Sequence, residues 1–180
     1  NEISEAANSS DWAWIEAMGI LSFLYLWVED DAILAGKYSR QLVNNFPNNF
    51  YYNLLHLEYL IKTDQFEKAK KLIKNLDVKI LNLTERQKEW YKPYLDYEKG
   101  LLAFKSKQYK KSLVLLDLCI KSYSGELDIV LGNALLLKGK VLDKLKRRSE
   151  AKLSYQACLD LDNFSSSMKT AKQYLFKPYF

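Results

Sequence analysis

The side chains best suited to catalysis are scarce in this chain and are not grouped. His56 is the only histidine, it falls inside a predicted helix, and no serine or cysteine partner for it is evident. Cys119 and Cys158 stand 39 residues apart without a CxxC motif, so a zinc site lacks ligands. We predict that His56 is packed or solvated and that the cysteines are small buried residues rather than a disulfide.

The motifs that bind phosphates or catalytic zinc, or that present a nucleophilic serine, are also missing. The sequence contains no GxGxxG, GxxxxGK[ST], HExxH or GxSxG. Glu29, Asp30 and Asp31 form an acidic run, but acidic side chains are favoured at helix N-termini without any ligand. The sequence therefore predicts a protein that is not an enzyme, holds no metal and uses no cofactor.

The charge balance is mildly basic and raises the question of nucleic-acid binding. The chain has 27 Lys and Arg against 22 Asp and Glu, a formal net charge of +5, and 13 Tyr. Cationic and stacking side chains bind single strands. The densest basic cluster, Lys144, Lys146, Arg147 and Arg148, spans a predicted turn between helices, where cations are favoured anyway. Nucleic-acid binding is therefore the less favoured alternative.

Length and composition favour one soluble domain. The chain has 180 residues, and six Gly and three Pro argue against sandwiches and barrels. The most apolar stretch, residues 12–28, is interrupted by Glu16 and Ser22 and is shorter than the roughly 20 residues of a membrane span. It predicts a core helix. We expect a cytoplasmic or bacterial extracytoplasmic protein; a start at Asn1 indicates processing or a fragment.

Apolar residues recur at helical spacing along most of the chain, whereas strand signals are nearly absent. Short connections between successive helices force them into antiparallel hairpins. The predicted helices span residues 11–28, 31–45, 50–62, 65–76, 85–105, 108–123, 127–145, 148–162 and 165–176.

Several helix boundaries are legible as local signals. Ser10-Asp11 precedes the first helix, Thr84 begins a capping box, and Asp162-Asn163 ends the eighth helix. Pro93 should kink the fifth helix or mark a short lead-in helix before it. Asp77–Leu83 is predicted to be a longer apolar connector.

Small residues recur early in the second helix of each predicted pair. The first spacing matches a 34-residue helical repeat, and the extra residues in the later repeats fall between pairs. The pairs cover residues 11–46, 50–76, 85–123 and 127–162, followed by a terminal helix at 165–176. The small residues are Ala35, Ala69, Ser112 and Ala151, at spacings of 34, 43 and 39 residues.

In this register the chain resembles the tetratricopeptide repeat family. The fourth pair matches best, with Gly139 in the first helix and Ala151, Tyr155 and Cys158 in the second. The sequence departs from the family at Arg148, where an aromatic residue is usual. The resemblance implies an all-α, right-handed α-solenoid of about four antiparallel helix pairs with a C-terminal capping helix. The third pair matches at Gly100, Tyr109, Ser112, Cys119 and Ile120.

The resemblance also implies that the first helices of the pairs line a concave groove for a partner. Aromatic rings with a basic rim suit an extended peptide with acidic groups. As alternatives, Tyr94, Tyr97 and Phe104 pack the core between pairs, and Lys140 and Lys144 form a solvated face. The implied groove residues are Tyr51, Glu58, Lys62, Tyr94, Tyr97, Phe104, Lys105, Asn133, Lys140 and Lys144.

The function that follows from these expectations is protein–protein interaction. A scaffold or adaptor would hold a peptide or helix of its partner in the groove. The alternative is a structural packing or oligomerisation module of a larger assembly. In that case a homodimer would form through the aromatic first helix, which carries Trp12, Trp14, Tyr25 and Trp27.

Overall fold

A computed structural model of the chain describes residue 3 and residues 13–125, 128–161 and 166–180. Over these residues the regular structure is helical, with no strand. The all-α prediction is confirmed. The helices are α1 (Trp14–Trp27), α2 (Ala32–Asn45), α3 (Phe50–Lys62), α4 (Phe66–Lys79), a 3-10 turn (Ile80–Asn82), α5 (Glu85–Lys105), α6 (Tyr109–Ser122), α7 (Ile129–Lys144), α8 (Arg148–Leu159) and α9 (Ser166–Phe176).

Most predicted boundaries agree with the observed ones to within two residues, but α8 ends at Leu159 rather than at residue 162, and the connector also differs. Thr84 forms the predicted capping box with Gln87, and Pro93 lies inside the single helix α5. The connector prediction is wrong for its first three residues, because α4 continues to Lys79. The Lys79 ammonium donates to the Pro47 carbonyl at 2.8 Å, a contact that fixes the end of α4. Ser10-Asp11, Trp12 and Asp162-Asn163 lie outside the described residues.

The chain divides into two compact units, residues 1–79 and 80–180. In the described part of the first unit, each helix from α1 to α4 packs against the next, and α1 also packs against α3. Its core includes Met18 and Leu21 from α1 and Tyr38 and Leu42 from α2. None of the helices in the described ranges is long and apolar enough to cross a membrane.

The second unit repeats this arrangement with α5 to α8 and adds α9. Consecutive helices pack together, α5 also packs against α7, and α9 packs on both α7 and α8. The α8 side of its core is built from Tyr155 and Cys158, with Leu142 from α7 and Ala171 from α9. The terminal helix therefore covers the last pair of this unit.

The four turns inside the helix pairs share one backbone feature. A residue in the left-handed region lies in each turn, with φ between 55° and 61°. In the last three turns two hydrogen bonds form a Schellman motif, as in Gln65 N–H to Leu60 O and Asp64 N–H to Ile61 O. Each of these residues precedes one of the four small residues by five positions. The left-handed residues are Asp30, Asp64, Lys107 and Lys146.

The small residues of the repeat pattern lie where helices approach closely. Ala35, Ala69, Ser112 and Ala151 are fully buried, and the Ser112 hydroxyl donates to the Gly100 carbonyl at 2.8 Å. At Gly139 the Tyr155 ring fills the space of a side chain, since a Cβ there would lie 2.2 Å from a ring carbon. Gly139, Ala151 and Tyr155, the residues that match the repeat pattern in the fourth pair, therefore lie in close packing between α7 and α8.

Candidate interaction surface around Tyr179

Three of the implied groove residues meet at one place in the second unit. Phe104 at the end of α5 and Lys140 and Lys144 on α7 all contact Tyr179, which follows the last helix in the non-helical segment 177–180. We call this cluster, together with Asp143 and Tyr174, the Tyr179 site. The chain itself thus supplies an aromatic side chain to the surface that the repeat register assigned to a partner.

The Tyr179 ring is surrounded by cations and by other rings. The ammonium nitrogens of Lys140 and Lys144 lie 5.3 and 5.1 Å from its centroid, within range of a cation–π interaction. The Phe104 centroid is 5.9 Å away, and the Tyr174 ring meets Tyr179 edge-on at 5.3 Å. Burial raises the pKa of Tyr174, and the neighbouring Tyr179 raises it further by a smaller amount. An electron-rich ring is therefore the group this surface attracts.

A buried carboxylate holds the backbone of the same segment. Asp143, whose side chain is 1 % exposed, accepts the backbone N–H of Tyr179 at 2.9 Å. It also accepts the Tyr155 hydroxyl at 2.9 Å and both contacts from the Arg148 guanidinium at 3.1 Å. Burial and the hydrogen bond to Asp143 raise the pKa of Tyr155. The site therefore positions both the ring and the amide of one residue.

Arg148, the departure from the repeat pattern, has a structural role in this unit. Besides pairing with Asp143, it donates to the carbonyls of Tyr174 and Leu175 at 2.8 and 2.9 Å. These carbonyls belong to the last turn of α9, where backbone acceptors lack intrahelical partners. An aromatic residue at this position would leave them without this donor, so the substitution fits a pair that must receive a terminal helix.

The four residues of the basic cluster identified in the sequence make different contacts. Arg148 pairs with Asp143, and Arg147 makes a bidentate ion pair with Glu150 at 2.6 Å. Lys144 faces the Tyr179 ring, and Lys146 is the left-handed residue of its turn. Two of the four cations therefore already contact carboxylates.

The remaining implied residues of the second unit do not join the Tyr179 site. Tyr97 is 4 % exposed and lies in the core. Tyr94 is half-buried and packs against Tyr123 at a centroid distance of 6.3 Å. Burial raises its pKa, although its hydrogen bond with Tyr123 acts in the opposite direction. Lys105 is exposed next to Phe104, and Asn133 is half-buried on α7.

In the first unit, two implied groove residues belong to an internal network. Glu58 is fully buried and accepts the indole N–H of Trp27. Lys62 lies 3.3 Å from Glu58 and 2.8 Å from Asp30, and it donates to the Leu26 carbonyl at 2.8 Å. Burial alone would lower the pKa of Lys62, but the two carboxylates outweigh it and raise the pKa. Lys62 is therefore held as a cation inside the unit.

Tyr51, the third implied residue of this unit, is half-buried. Its ring contacts Tyr52 at a centroid distance of 6.1 Å. Tyr52 in turn lies 5.9 Å from Phe46, so Tyr51 stands at the edge of an aromatic group.

His56 has a serine neighbour that the sequence did not reveal. The Ser39 hydroxyl lies 3.2 Å from His56 Nδ1, a contact between side chains 17 residues apart that the sequence did not make evident. Burial, with Arg40 and then Lys68 nearby, lowers the pKa of His56 to about 4. The Ser39 side chain is fully buried, which keeps its hydroxyl away from any substrate. The pair is a packing contact between α2 and α3.

The cysteines are free and buried, as predicted. Burial raises the pKa of Cys119 to about 12 and of Cys158 to about 11, so both thiols are protonated near neutral pH. Within the described residues no group of three or more potential ligands could hold a metal ion.

The aromatic residues of α1 are largely turned into the first unit. Trp27 is 2 % exposed, and Trp14 packs against Phe46 at a centroid distance of 6.1 Å. Tyr25 stacks on Tyr38 at 6.0 Å. Homodimerisation through this helix stays a prediction, with Ile20, 47 % exposed, as an apolar contact residue.

Three residues of the Tyr179 site escaped the sequence analysis. Asp143, Tyr174 and Tyr179 carry no repeat signature. The available signal was Pro178, two residues after the end of α9, because a proline soon after a helix cannot continue it. A tyrosine beyond the helix is free to lie across a neighbouring surface.

Comparisons with known proteins give no relative from which a function can be carried over. No family model, curated protein or solved structure matches the chain.

Proposed function

We propose that this chain is a protein-interaction module, a scaffold or adaptor that holds an extended segment or helix of a partner. In this proposal the helix pairs form a right-handed solenoid like that of tetratricopeptide repeats. The first helices of the pairs supply the binding surface. Support for the repeat comes from the left-handed residue that recurs in all four turns, five positions before each small residue.

The observation that carries the binding proposal is the contact of Phe104, Lys140 and Lys144 with Tyr179. These three residues come from two different first helices, and the occupant is a non-helical segment rather than another repeat helix. A surface that accommodates such a segment within its own chain has the shape and charge to accept one from another chain. Aromatic anchors in partly enclosed pockets are typical of residues that dominate interface energies.

One observation favours the alternative of a packing or oligomerisation module. Phe176 and Phe180 are each 84 % exposed. In this alternative the two rings form one apolar patch, the kind of surface that marks a protein–protein interaction site. Both residues flank Tyr179, so a second copy is the occupant that this alternative predicts. Its signature is a mass in solution that rises with concentration.

A pull-down from the native lysate after nuclease treatment tests the proposal. The bait is the full chain, compared with a Lys140→Gln/Lys144→Gln variant. A Lys110→Gln/Lys111→Gln variant removes the same charge from exposed positions on α6 and serves as the matched control. We expect a protein retained by the wild type and the control and lost with the Lys140/Lys144 variant. Equal retention by all three baits would contradict a binding surface at these lysines.

A further inference from the structure

We infer that the Tyr179 site recognises a tyrosine in an extended, acidic partner segment, and that residues 177–180 occupy the site as an internal competitor. This inference rests on the proposed interaction function and gives it a ligand chemistry. It follows from what the site offers to the ring, what it offers to the backbone, and how the charge of the chain's own segment fits the site.

The ring environment selects an aromatic side chain. Lys140 and Lys144 place two ammonium groups about equally far from the Tyr179 centroid, and Phe104 and Tyr174 supply neighbouring ring contacts. An aliphatic side chain lacks the negative π-face that attracts these cations. A leucine or alanine in place of the tyrosine would therefore lose the main attraction.

The backbone environment fixes the residue that carries the ring. Asp143 accepts the amide N–H of Tyr179 itself, so the ligand residue must have an N–H and proline is excluded there. Hydrogen bonds to a buried carboxylate are among the stronger ones in proteins. Because the ring and the N–H belong to one residue, the site recognises a single tyrosine through both its side chain and its backbone.

The chain's own segment is a poorly matched occupant. Tyr179 is half-buried, whereas Lys177 and Phe180 on either side of it are exposed. Lys177 also brings a third positive charge close in sequence to a ring already faced by two lysines. A partner with an acidic residue two positions before its tyrosine would place a negative charge near the two lysines of the site instead of the positive charge of Lys177. Opposite charges attract, which favours binding of the partner.

The short connection to α9 explains why the segment still fills the site. Tyr179 follows the last residue of α9 by three positions, and Arg148 fixes the end of that helix. A short tether keeps an attached ligand at an effective concentration of order millimolar. The same segment from a second copy competes at a disadvantage, since its concentration in solution is far lower.

Binding of synthetic peptides to the full chain tests the inference. The probes are acetylated, amidated peptides of residues 175–180 (LFKPYF), of the same sequence with glutamate for lysine (LFEPYF), and with alanine for tyrosine (LFKPAF). Isothermal titration calorimetry gives the Kd for wild type and for Tyr179→Ala. Phe180→Ala is the matched control, since it removes a neighbouring ring that is 84 % exposed. Circular dichroism and a cooperative melt confirm that each variant is folded.

We expect Tyr179→Ala to bind LFKPYF at least about tenfold more tightly than wild type, because the tethered competitor is gone. Phe180→Ala should behave as wild type. LFEPYF should bind Tyr179→Ala several-fold more tightly than LFKPYF, with an advantage that shrinks as salt is added. LFKPAF should not bind measurably.

Three results would overturn the inference. The first is equal affinity of wild type and Tyr179→Ala for LFKPYF, and the second is equal binding of LFKPAF. The third is a wild-type dimer in sedimentation that Tyr179→Ala dissociates, which would assign the site to a second copy. A lysate partner that depends on Lys140 and Lys144 would still support the proposed function if the peptides fail.

Discussion

The same two helix positions are filled differently in the two units. Glu58 and Lys62 lie six and two residues before the left-handed residue Asp64, and Lys140 and Lys144 lie six and two residues before Lys146. In the first unit the glutamate and lysine contact each other. In the second unit two lysines repel each other and face the Tyr179 ring instead.

The aromatic residue near the end of the preceding pair's first helix also makes different contacts in the two units. Trp27 and Phe104 each lie three residues before the left-handed residue of their turn. Trp27 has an indole N–H, which it donates to Glu58, whereas Phe104 has no donor and contacts the Tyr179 ring. The comparison shows the importance of side-chain chemistry at equivalent positions. In one unit these side chains pair with each other within the helices, and in the other they contact a further segment of the chain.

The largest expected effect comes from breaking the internal network of the first unit. Glu58→Ala leaves the Trp27 indole and the Lys62 ammonium without their buried acceptor, and removing one member of a buried pair costs about 3–5 kcal/mol. At the equivalent position, Lys140→Ala removes cation–π contacts with Tyr174 and Tyr179 and should cost about 1 kcal/mol or less. Urea unfolding of both variants measures the difference. Equal losses would contradict the contrast between the two sites.

The next largest effect concerns close helix packing. Gly139→Ala places a Cβ 2.2 Å from the Tyr155 ring, and such overpacking typically costs about 1–3 kcal/mol. Gly19 on α1 is the matched control, since its added Cβ would lie 3.8 Å from Tyr52. Gly19→Ala should stabilise the chain by up to about 1 kcal/mol through helix propensity. If both substitutions shifted the melting temperature in the same direction, the predicted contrast between Gly139 and Gly19 would be refuted.

A smaller effect, confined to the first unit, depends on pH. The pKa of His56 is about 4 in the folded chain, against about 6.5 in an unfolded chain. The unfolded state therefore binds the proton first, so the free energy of unfolding should fall as pH drops from about 6.5 to about 4. We expect on the order of 1 kcal/mol, discounted because the ring is partly exposed.

His56→Gln provides the control for this pH dependence, because glutamine can still bond to Ser39 but does not titrate. The difference in unfolding free energy between wild type and variant should change across pH 4–6.5. A difference that stays constant would show that His56 titrates normally in the folded state.

The smallest expected effect is a stabilisation at the turns of the second unit. Lys146 has φ 61°, a region that costs a residue with a Cβ about 1 kcal/mol or more and costs glycine little. Lys146→Gly should therefore raise the unfolding free energy by about 1 kcal/mol. Lys152→Gly, at an exposed position inside α8, should lower it by about as much. A loss of stability in both variants would count against the strain at Lys146.

The helices were predictable because their signals are local. The bounds of α3 and α5 match the prediction, since Asn49 and the Thr84 capping box fix their starts. The extension of α4 to Lys79 was not predicted. Its last residue contacts Pro47, 32 residues earlier in the chain, and a contact over that separation leaves no local signal.

The candidate site was only partly predictable for the same reason. The family resemblance implied Phe104, Lys140 and Lys144 as residues of a groove lined by the first helices of the pairs. It gave no sign of Tyr179, whose contacts with these residues span 35 to 75 positions and follow no period. The Ser39–His56 contact likewise joins two helices and has no fixed spacing.

Arg148 fixes the end of α9 without using the residues that follow it. It holds the carbonyls of Tyr174 and Leu175 and pairs with Asp143, which also keeps the Tyr155 hydroxyl. Detaching Tyr179 therefore breaks its ring contacts and the hydrogen bond from its backbone N–H to Asp143, while the end of α9 stays anchored. Such an opening is local, with a free energy well below that of global unfolding. The lifetime of the closed site is thus governed by the ring and the backbone N–H of one residue, and the lifetime of the fold by the rest of the unit.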